Sequence, residues 1–165
     1  MGNESMNILL AVTGSISAYR SLDICRGLVK DGHTVKVILS RGAEEFVQYK
    51  TFSYLGAQKV FRAMDDFNPE QASSERSNVL HVELVKWCEK MIIAPASANT
   101  IAKIANGFCD DLLSSVFLAL GKKTCGIFPA MNTKMLTHPN TQKNLTNLKL
   151  LPNVFIHPTD EGELA

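Results

Sequence analysis

Three short segments carry residues whose types could do chemistry together: Thr13-Gly14-Ser15-Ile16-Ser17-Ala18, Pro95-Ala96-Ser97-Ala98-Asn99-Thr100 and Pro129-Ala130-Met131-Asn132. The first has hydroxyls and a glycine leading into an apolar-periodic stretch, where free N–H groups and the positive end of a helix dipole attract an anion. It has one glycine, not the three of a dinucleotide fingerprint, and it lacks the lysine of GxxxxGK[ST]. Ser40-Arg41 stands where Asp or Glu would hold an NAD ribose. A monophosphate cofactor fits better, and Arg41, a partner for a 2′-phosphate, keeps NADP as the runner-up. The second segment offers small residues, two hydroxyls and an amide, so a flat ring could lie against its backbone with its edge hydrogen-bonded. The third ends in Asn132, whose amide could recognise a carboxylate or carbonyl. Each segment reads equally as a capped turn, with Ser15, Ser17 or Asn132 serving the next helix.

Imidazole is the side chain best suited to give and take protons near neutral pH. Of the four histidines, His81 stands near an expected helix start after a polar loop, while His33, His138 and His157 compete on equal chemical terms. No catalytic Ser-His-Asp arrangement and no metal-ligand cluster is recognisable, so hydrolase and metalloenzyme readings have no support.

The elements that must position these residues follow from apolar periodicity. Asn7 to Val12 is an almost wholly apolar run, as expected of a strand buried on both faces of a parallel sheet. Leu22, Cys25, Leu28 and Val29 recur at near-helical spacing ahead of Gly32, a C-terminal cap glycine, and Thr34 to Ser40 is a second strand. Residues 41–50 and 51–63 read as helical, Asp65 to Asn78 as an exposed loop, and His81 to Glu89 as a short helix. Strand 91–94 precedes a helical stretch from Asn99 through Leu120 broken near Gly107, and strand 124–128 precedes a helix with Pro139 in its early part. Val154 to Ile156 makes a last strand. This alternation predicts an α/β fold, a doubly wound parallel sheet of Rossmann-like type, with ligands outside the carboxyl ends of its strands. Each of the three segments directly follows an apolar strand.

At 165 residues the chain is expected to form one domain, and 45% hydrophobic with 20% charged residues excludes a disordered or low-complexity class. Seventeen Lys and Arg against sixteen Asp and Glu leave +1, no electrostatic footprint for nucleic acid or an anionic membrane. The apolar runs fall far short of the roughly 20 residues that span a bilayer. The first residues lack a basic signal-peptide region, and Met6 stands where myristoylation requires Ser or Thr, so a cytoplasmic location is expected. Cys25, Cys88, Cys109 and Cys125 form no CxxC pair and read as buried small hydrophobes.

Taken together, the first two segments, His81-Val82-Glu83-Leu84-Val85-Lys86-Trp87 and Pro129 to Met135 resemble the flavin-dependent cysteine decarboxylases over nearly the whole chain. That family includes enzymes acting on phosphopantothenoylcysteine, in coenzyme A biosynthesis, and on peptidyl cysteine, in lantibiotic maturation. The motifs carrying the resemblance are the TGSISA loop, the His-containing helix, PASANT and PxMNxxM. The resemblance implies FMN as cofactor and a substrate with a terminal cysteine carboxylate. In the family's mechanism the flavin oxidises the thiol to a thioaldehyde, carbon dioxide leaves and an enethiol remains. By matching position, His81 is the implied catalytic base or orienting residue. Asn132, with Met135 beside it, is the implied substrate site. Gly14, Ser15, Ile16, Ser17 and Ser40 line the implied phosphate and ribityl region, with Phe46 near the ring. Pro95, Ala96, Ser97, Ala98 and Asn99, together with Ala130 and Met131, are the residues that the resemblance implies hold the isoalloxazine. The resemblance also implies a homotrimer or dodecamer with FMN at subunit contacts, in which His81 completes a neighbour's site.

Two departures stand out. Leu136 occupies the place where the family commonly has Trp, and the chain ends at Gly162-Glu163-Leu164-Ala165, before the family's Cys-Gly substrate clamp. The expectation is therefore an FMN-binding decarboxylase domain over 1–165 without the clamp, continued in the natural protein by further chain such as a ligase domain. Flavin prenyltransferases share the fold, but the PAMN segment argues against them. Regulatory relatives that inhibit phosphatases have lost catalytic residues, whereas His81 and Asn132 are both present here.

Overall fold

Strands β1 (Asn7–Val12), β2 (Thr34–Leu39), β3 (Lys59–Arg62), β4 (Lys90–Ala96), β5 (Thr124–Pro129) and β6 (Val154–Ile156) form one sheet in the order β3-β2-β1-β4-β5-β6. Every neighbouring pair is parallel. The computed structural model describes residues 4–72 and 79–159. Around the sheet lie α1 (Arg20–Lys30), α2 (Tyr49–Tyr54), α3 (Leu80–Trp87), α4 (Ala98–Ala105), α5 (Leu112–Ala119), α6 (Thr133–Leu136) and α7 (Pro139–Lys149).

Side-chain alternation on the central strand explains the two layers. Leu9 and Ala11 join a core cluster with residues of α3, α4, α5 and α7, whereas Leu10 and Val12 join Cys25 of α1 and Phe52 of α2 on the other face. Both faces of β1 are thus covered, which is why its sequence is continuously apolar. The strand order reverses between β1 and β4, and the crevice at their carboxyl ends is where such sheets hold ligands.

Residues 51–63, expected to be helical, divide instead. Helix α2 stops at Tyr54, and Gly56 turns the chain at φ +103° into the edge strand β3. A Cβ at Gly56 would meet Val29 Cγ1 at 2.8 Å, so both backbone conformation and packing call for glycine. The four-residue run Lys59-Val60-Phe61-Arg62, charged at both ends, is too short to announce a period and has the composition of a protected edge. Over 41–50 the expected helix is only a 3₁₀ turn at 43–45 and the start of α2. Pro139 opens α7 at its first turn, because its missing N–H costs nothing there, and the short α6 precedes it as a separate helix. Within 65–78, 3₁₀ turns occupy 65–67 and 69–71, and the remainder of the expected loop at 73–78 lies outside the described residues.

Cys25, Cys88 and Cys125 are buried as expected, but Cys109 is exposed, in the connection between α4 and α5. Burial pushes the Cys25 and Cys88 thiols up and that of Cys125 up to about 12, so these three are packing groups rather than nucleophiles. No described helix is long and apolar enough to cross a membrane.

Lys123 ties the start of β5 to the end of α3. Its ammonium donates to the carbonyls of Val85 and Cys88, the latter at 2.5 Å, the residue and charge sign a helix C-terminus favours. Lys123→Met is expected to lower unfolding stability by about 1.5–3 kcal/mol, the range for hydrogen bonds to a charged group. Urea denaturation followed by far-UV circular dichroism checks it.

Candidate active site

The loop after β1 is locked to the end of β4 by one hydroxyl. Thr13 is fully buried, its Oγ1 donates to the Pro95 carbonyl at 2.6 Å and accepts the Ser97 N–H at 2.8 Å, and its own N–H reaches Pro95 O at 3.2 Å. Sequence reasoning did not single out Thr13; the available signal was a hydroxyl immediately after a strand buried on both faces. Thr13→Val keeps the shape but orphans the Ser97 N–H, so a loss of about 1–3 kcal/mol in unfolding free energy is expected by chemical denaturation.

A second close approach brings in the loop after β2. A Cβ on Gly14 would lie 2.9 Å from Gly42 Cα, so two glycines let these backbones touch. Ser40 braces the same corner, accepting the Ala43 N–H at 3.2 Å through Oγ and donating its own N–H to Val12 O. The end of β5 joins through Ala130 N–H to Ala96 O at 3.0 Å.

These ties frame a cavity of about 250 Å³ outside the carboxyl ends of β1, β2 and β4. Gly14, Ser40, Ser97, Ala98, Asn99 and Met135, all candidates from sequence, line it together. Arg41 lines it as well, as do Gly42, Lys103 and Asp111, which sequence reasoning missed. Lys103 Nζ lies 3.0 Å from Asp110 and 3.2 Å from Asp111. Burial alone would lower the Lys103 ammonium, but its bonds to the two carboxylates outweigh that and raise it, while Lys103 holds the Asp110 carboxyl below its ordinary value. Lys103 is therefore a charge already matched within the protein, and the exposed Arg41 is the cavity's other cation.

The remaining candidates sit around this cavity rather than on its lining. Ser15 caps a 3₁₀ turn at Ile16–Tyr19, its Oγ 2.9 Å from Ser17 Oγ, and α1 begins only at Arg20. The backbone N–H groups nearest the loop thus belong to that tight turn and not, as expected, to the long helix. Pro95 and Ala96 are buried beneath the loop, their backbones carrying the ties described above. Met131 is half-buried against the core, Ala130 half-buried beside it, and Ile16 and Phe46 are exposed.

Asn132 caps α6: its Oδ1 accepts the Lys134 N–H at 2.8 Å. With Oδ1 so engaged, the exposed side chain presents Nδ2, which makes no hydrogen bond among the described residues. Capping and recognition are therefore compatible in one amide: the acceptor serves the helix and the donor is left for a ligand.

His81, in the first turn of α3, is held by a residue that sequence reasoning placed only in a polar loop. Asp66, its side chain 6% exposed, accepts the His81 N–H at 2.9 Å through Oδ1 and lies 2.8 Å from ring Nδ1 through Oδ2. A carboxylate at Nδ1 fixes the ring plane and the proton there, leaving Nε2 as the working nitrogen. His81 is not on the cavity lining.

The Flavoprotein family model matches residues 2–165. A probable phosphopantothenoylcysteine decarboxylase of Streptococcus mutans is 40% identical over 153 residues, 92% of this chain and 82% of that protein. The coenzyme A biosynthesis bifunctional protein CoaBC of Bacillus subtilis is 37% identical over 162 residues, 98% of this chain but only 38% of that longer protein. Among solved structures, a PPC decarboxylase mutant complexed with pantothenoylaminoethenethiol superposes with a TM-score of 0.83 at 30% identity, covering 98% of this chain and 86% of that one.

Proposed function

The chain belongs to the Flavoprotein family, and from that premise we propose that it is an FMN-dependent cysteine decarboxylase acting on 4′-phosphopantothenoylcysteine, in the cytoplasm. The observation that carries the reading is the cavity at the carboxyl ends of β1, β2 and β4, which gathers Gly14, Ser40, Ser97, Ala98, Asn99 and Met135 from four separate segments, the loops after β1 and β2, the start of α4 and the short α6. The 40% identity to a relative covered over 82% of its length supports the same activity.

The residues present fit a flavin mononucleotide. The Gly14–Gly42 contact leaves a bare backbone wall that any Cβ would fill, and Ser15, Ser17 and Ser40 place hydroxyls beside it. These groups hold the phosphate and ribityl chain, while the small residues Ser97 and Ala98 on the lining leave room for a flat ring. When bound, FMN supplies the two-electron oxidation of the cysteine thiol. Asn132 Nδ2 donates to the substrate carboxylate and orients it for departure. His81 Nε2 takes or positions a proton, with Asp66 holding its ring. Gly14→Ala forces the two loops apart, so FMN affinity is expected to fall at least ten-fold, about 1.4 kcal/mol; a fluorescence titration of the apoprotein with FMN checks it.

His81 stands off the cavity lining of its own chain, which supports a role at a neighbour's site: in a homotrimer or dodecamer it completes the site of a second subunit. The exposed apolar side chains Ile16, Tyr19, Phe46, Met64 and Phe67, each 45–63% accessible, support such a contact. Light scattering on the FMN-loaded protein tests the assembly, a monomer at micromolar concentration overturning it.

An absorbance spectrum with chromatography of the heat-released cofactor comes first, then carbon dioxide release from phosphopantothenoylcysteine and from a peptide with a C-terminal cysteine. FMN release and turnover of the phosphorylated substrate are expected. A protein that stays colourless with FMN removes the mechanism, and turnover of the peptide alone reassigns the substrate.

A further inference from the structure

At the sheet's outer edge, away from the carboxyl-end cavity, a second cavity of about 330 Å³ lies between β2, β3 and α3. Its inner wall is apolar: Phe61, Leu80 and Leu84 are each no more than 2% exposed. Lys36 and Lys59 stand at its side, and the parallel register pairs these two residues directly across β2 and β3, so both ammonium groups emerge on the α3 face. Lys36 Nζ lies 4.2 Å from the Trp87 ring centre and Lys59 Nζ 5.0 Å from that of Phe61, with Lys59 also donating to the Gln71 carbonyl at 3.2 Å.

We propose that this cavity binds a small organic anion, a single phosphate carried on an apolar body. Two adjacent cations, set against the single carboxylate of Glu83 on the same lining, leave the Lys36–Lys59 end of the cavity positive, and a phosphate dianion fits that end. The buried floor of Phe61, Leu80 and Leu84 and the indole of Trp87 provide the surface against which the body of the ligand packs. The Lys36 ammonium is lowered first by burial and then by the charge of Lys59, with Glu83 opposing them, so a bound phosphate would relieve a repulsion already present. Glu83, also on the lining, favours a ligand with one anionic end and a neutral body over one charged throughout.

Trp87 is the chain's single tryptophan, so its fluorescence reads this cavity without reference to turnover. The protein, saturated with FMN, is titrated with phenyl phosphate, inorganic phosphate and phenol while Trp87 emission is recorded. Phenyl phosphate is expected to give a saturable change, with at least ten-fold weaker apparent affinity in both Lys36→Gln and Lys59→Gln and with carbon dioxide release unaltered by either substitution. Equal affinity in the two variants, or phenol binding as well as phenyl phosphate, overturns the anion site. Inorganic phosphate binding as tightly as phenyl phosphate overturns the role of the apolar floor. Because the signal is local to Trp87, loss of the flavin chemistry and loss of this site give different results.

Discussion

Replacing His81 with Asn abolishes carbon dioxide release while FMN remains bound. Proton transfer by a positioned side chain contributes about 10²–10⁴-fold to rate, so turnover is expected to fall by at least about 100-fold. Asparagine retains a backbone N–H for Asp66 Oδ1 and an amide donor for Oδ2, so the first turn of α3 keeps its anchor and only the proton-transfer nitrogen is lost. The flavin spectrum should persist, since the hydroxyls and bare backbone proposed to hold FMN lie in the loops after β1, β2 and β4 and are untouched by the substitution. Asp66→Asn separates positioning from proton transfer. It leaves the imidazole in place but removes the carboxylate that fixes its ring, so an intermediate loss is expected, carried by kcat rather than KM. If His81→Asn turns over at the wild-type rate, the histidine has no part in the chemistry. Mixing His81→Asn subunits with subunits disabled at Gly14 tests the neighbour's role: partial recovery of activity is expected only if the histidine of one subunit serves the cofactor site of another.

The legibility of this molecule divides along the range of the interactions. Apolar runs and turn residues are local signals, so β1, β2, β4, β5 and β6 and the break at Gly107 were readable from the chain, as was the doubly wound arrangement. β3 was not, because four residues at a sheet edge, half of them lysine and arginine, carry too little pattern to oppose the helical look of the residues before them. The same division holds at the site. Gly14, Ser40 and the 97–99 turn were visible as residues after strands, where an α/β sheet must present its ligand groups. Asp66 and the tie that Thr13 makes were not: each depends on a partner 15 or more residues away, His81 in one case and Pro95 and Ser97 in the other. Lys103 is similar, since its match with Asp110 and Asp111 depends on how the chain folds back between α4 and α5.

Asn132→Asp isolates carboxylate recognition from everything else the residue does. Aspartate caps helices as well as asparagine, so it can accept the Lys134 N–H and keep α6 in place. What changes is the other end of the side chain, where the donor Nδ2 becomes a carboxylate oxygen facing the carboxylate of the substrate. Two like charges about 4 Å apart repel by roughly 1 kcal/mol in water and about 4 kcal/mol near a protein surface. The exposed position of Asn132 places it between these limits. A loss of about 5-fold to several-hundred-fold in kcat/KM is therefore expected, and it should shrink as ionic strength rises, as a screened surface repulsion must. The FMN spectrum should be unchanged. An analogue of the substrate lacking its carboxylate should bind wild type and variant alike, because the amide has nothing to recognise in it. Normal decarboxylation by Asn132→Asp, or an equal loss of affinity for the analogue, would show that another group holds the carboxylate and that Asn132 serves only its helix.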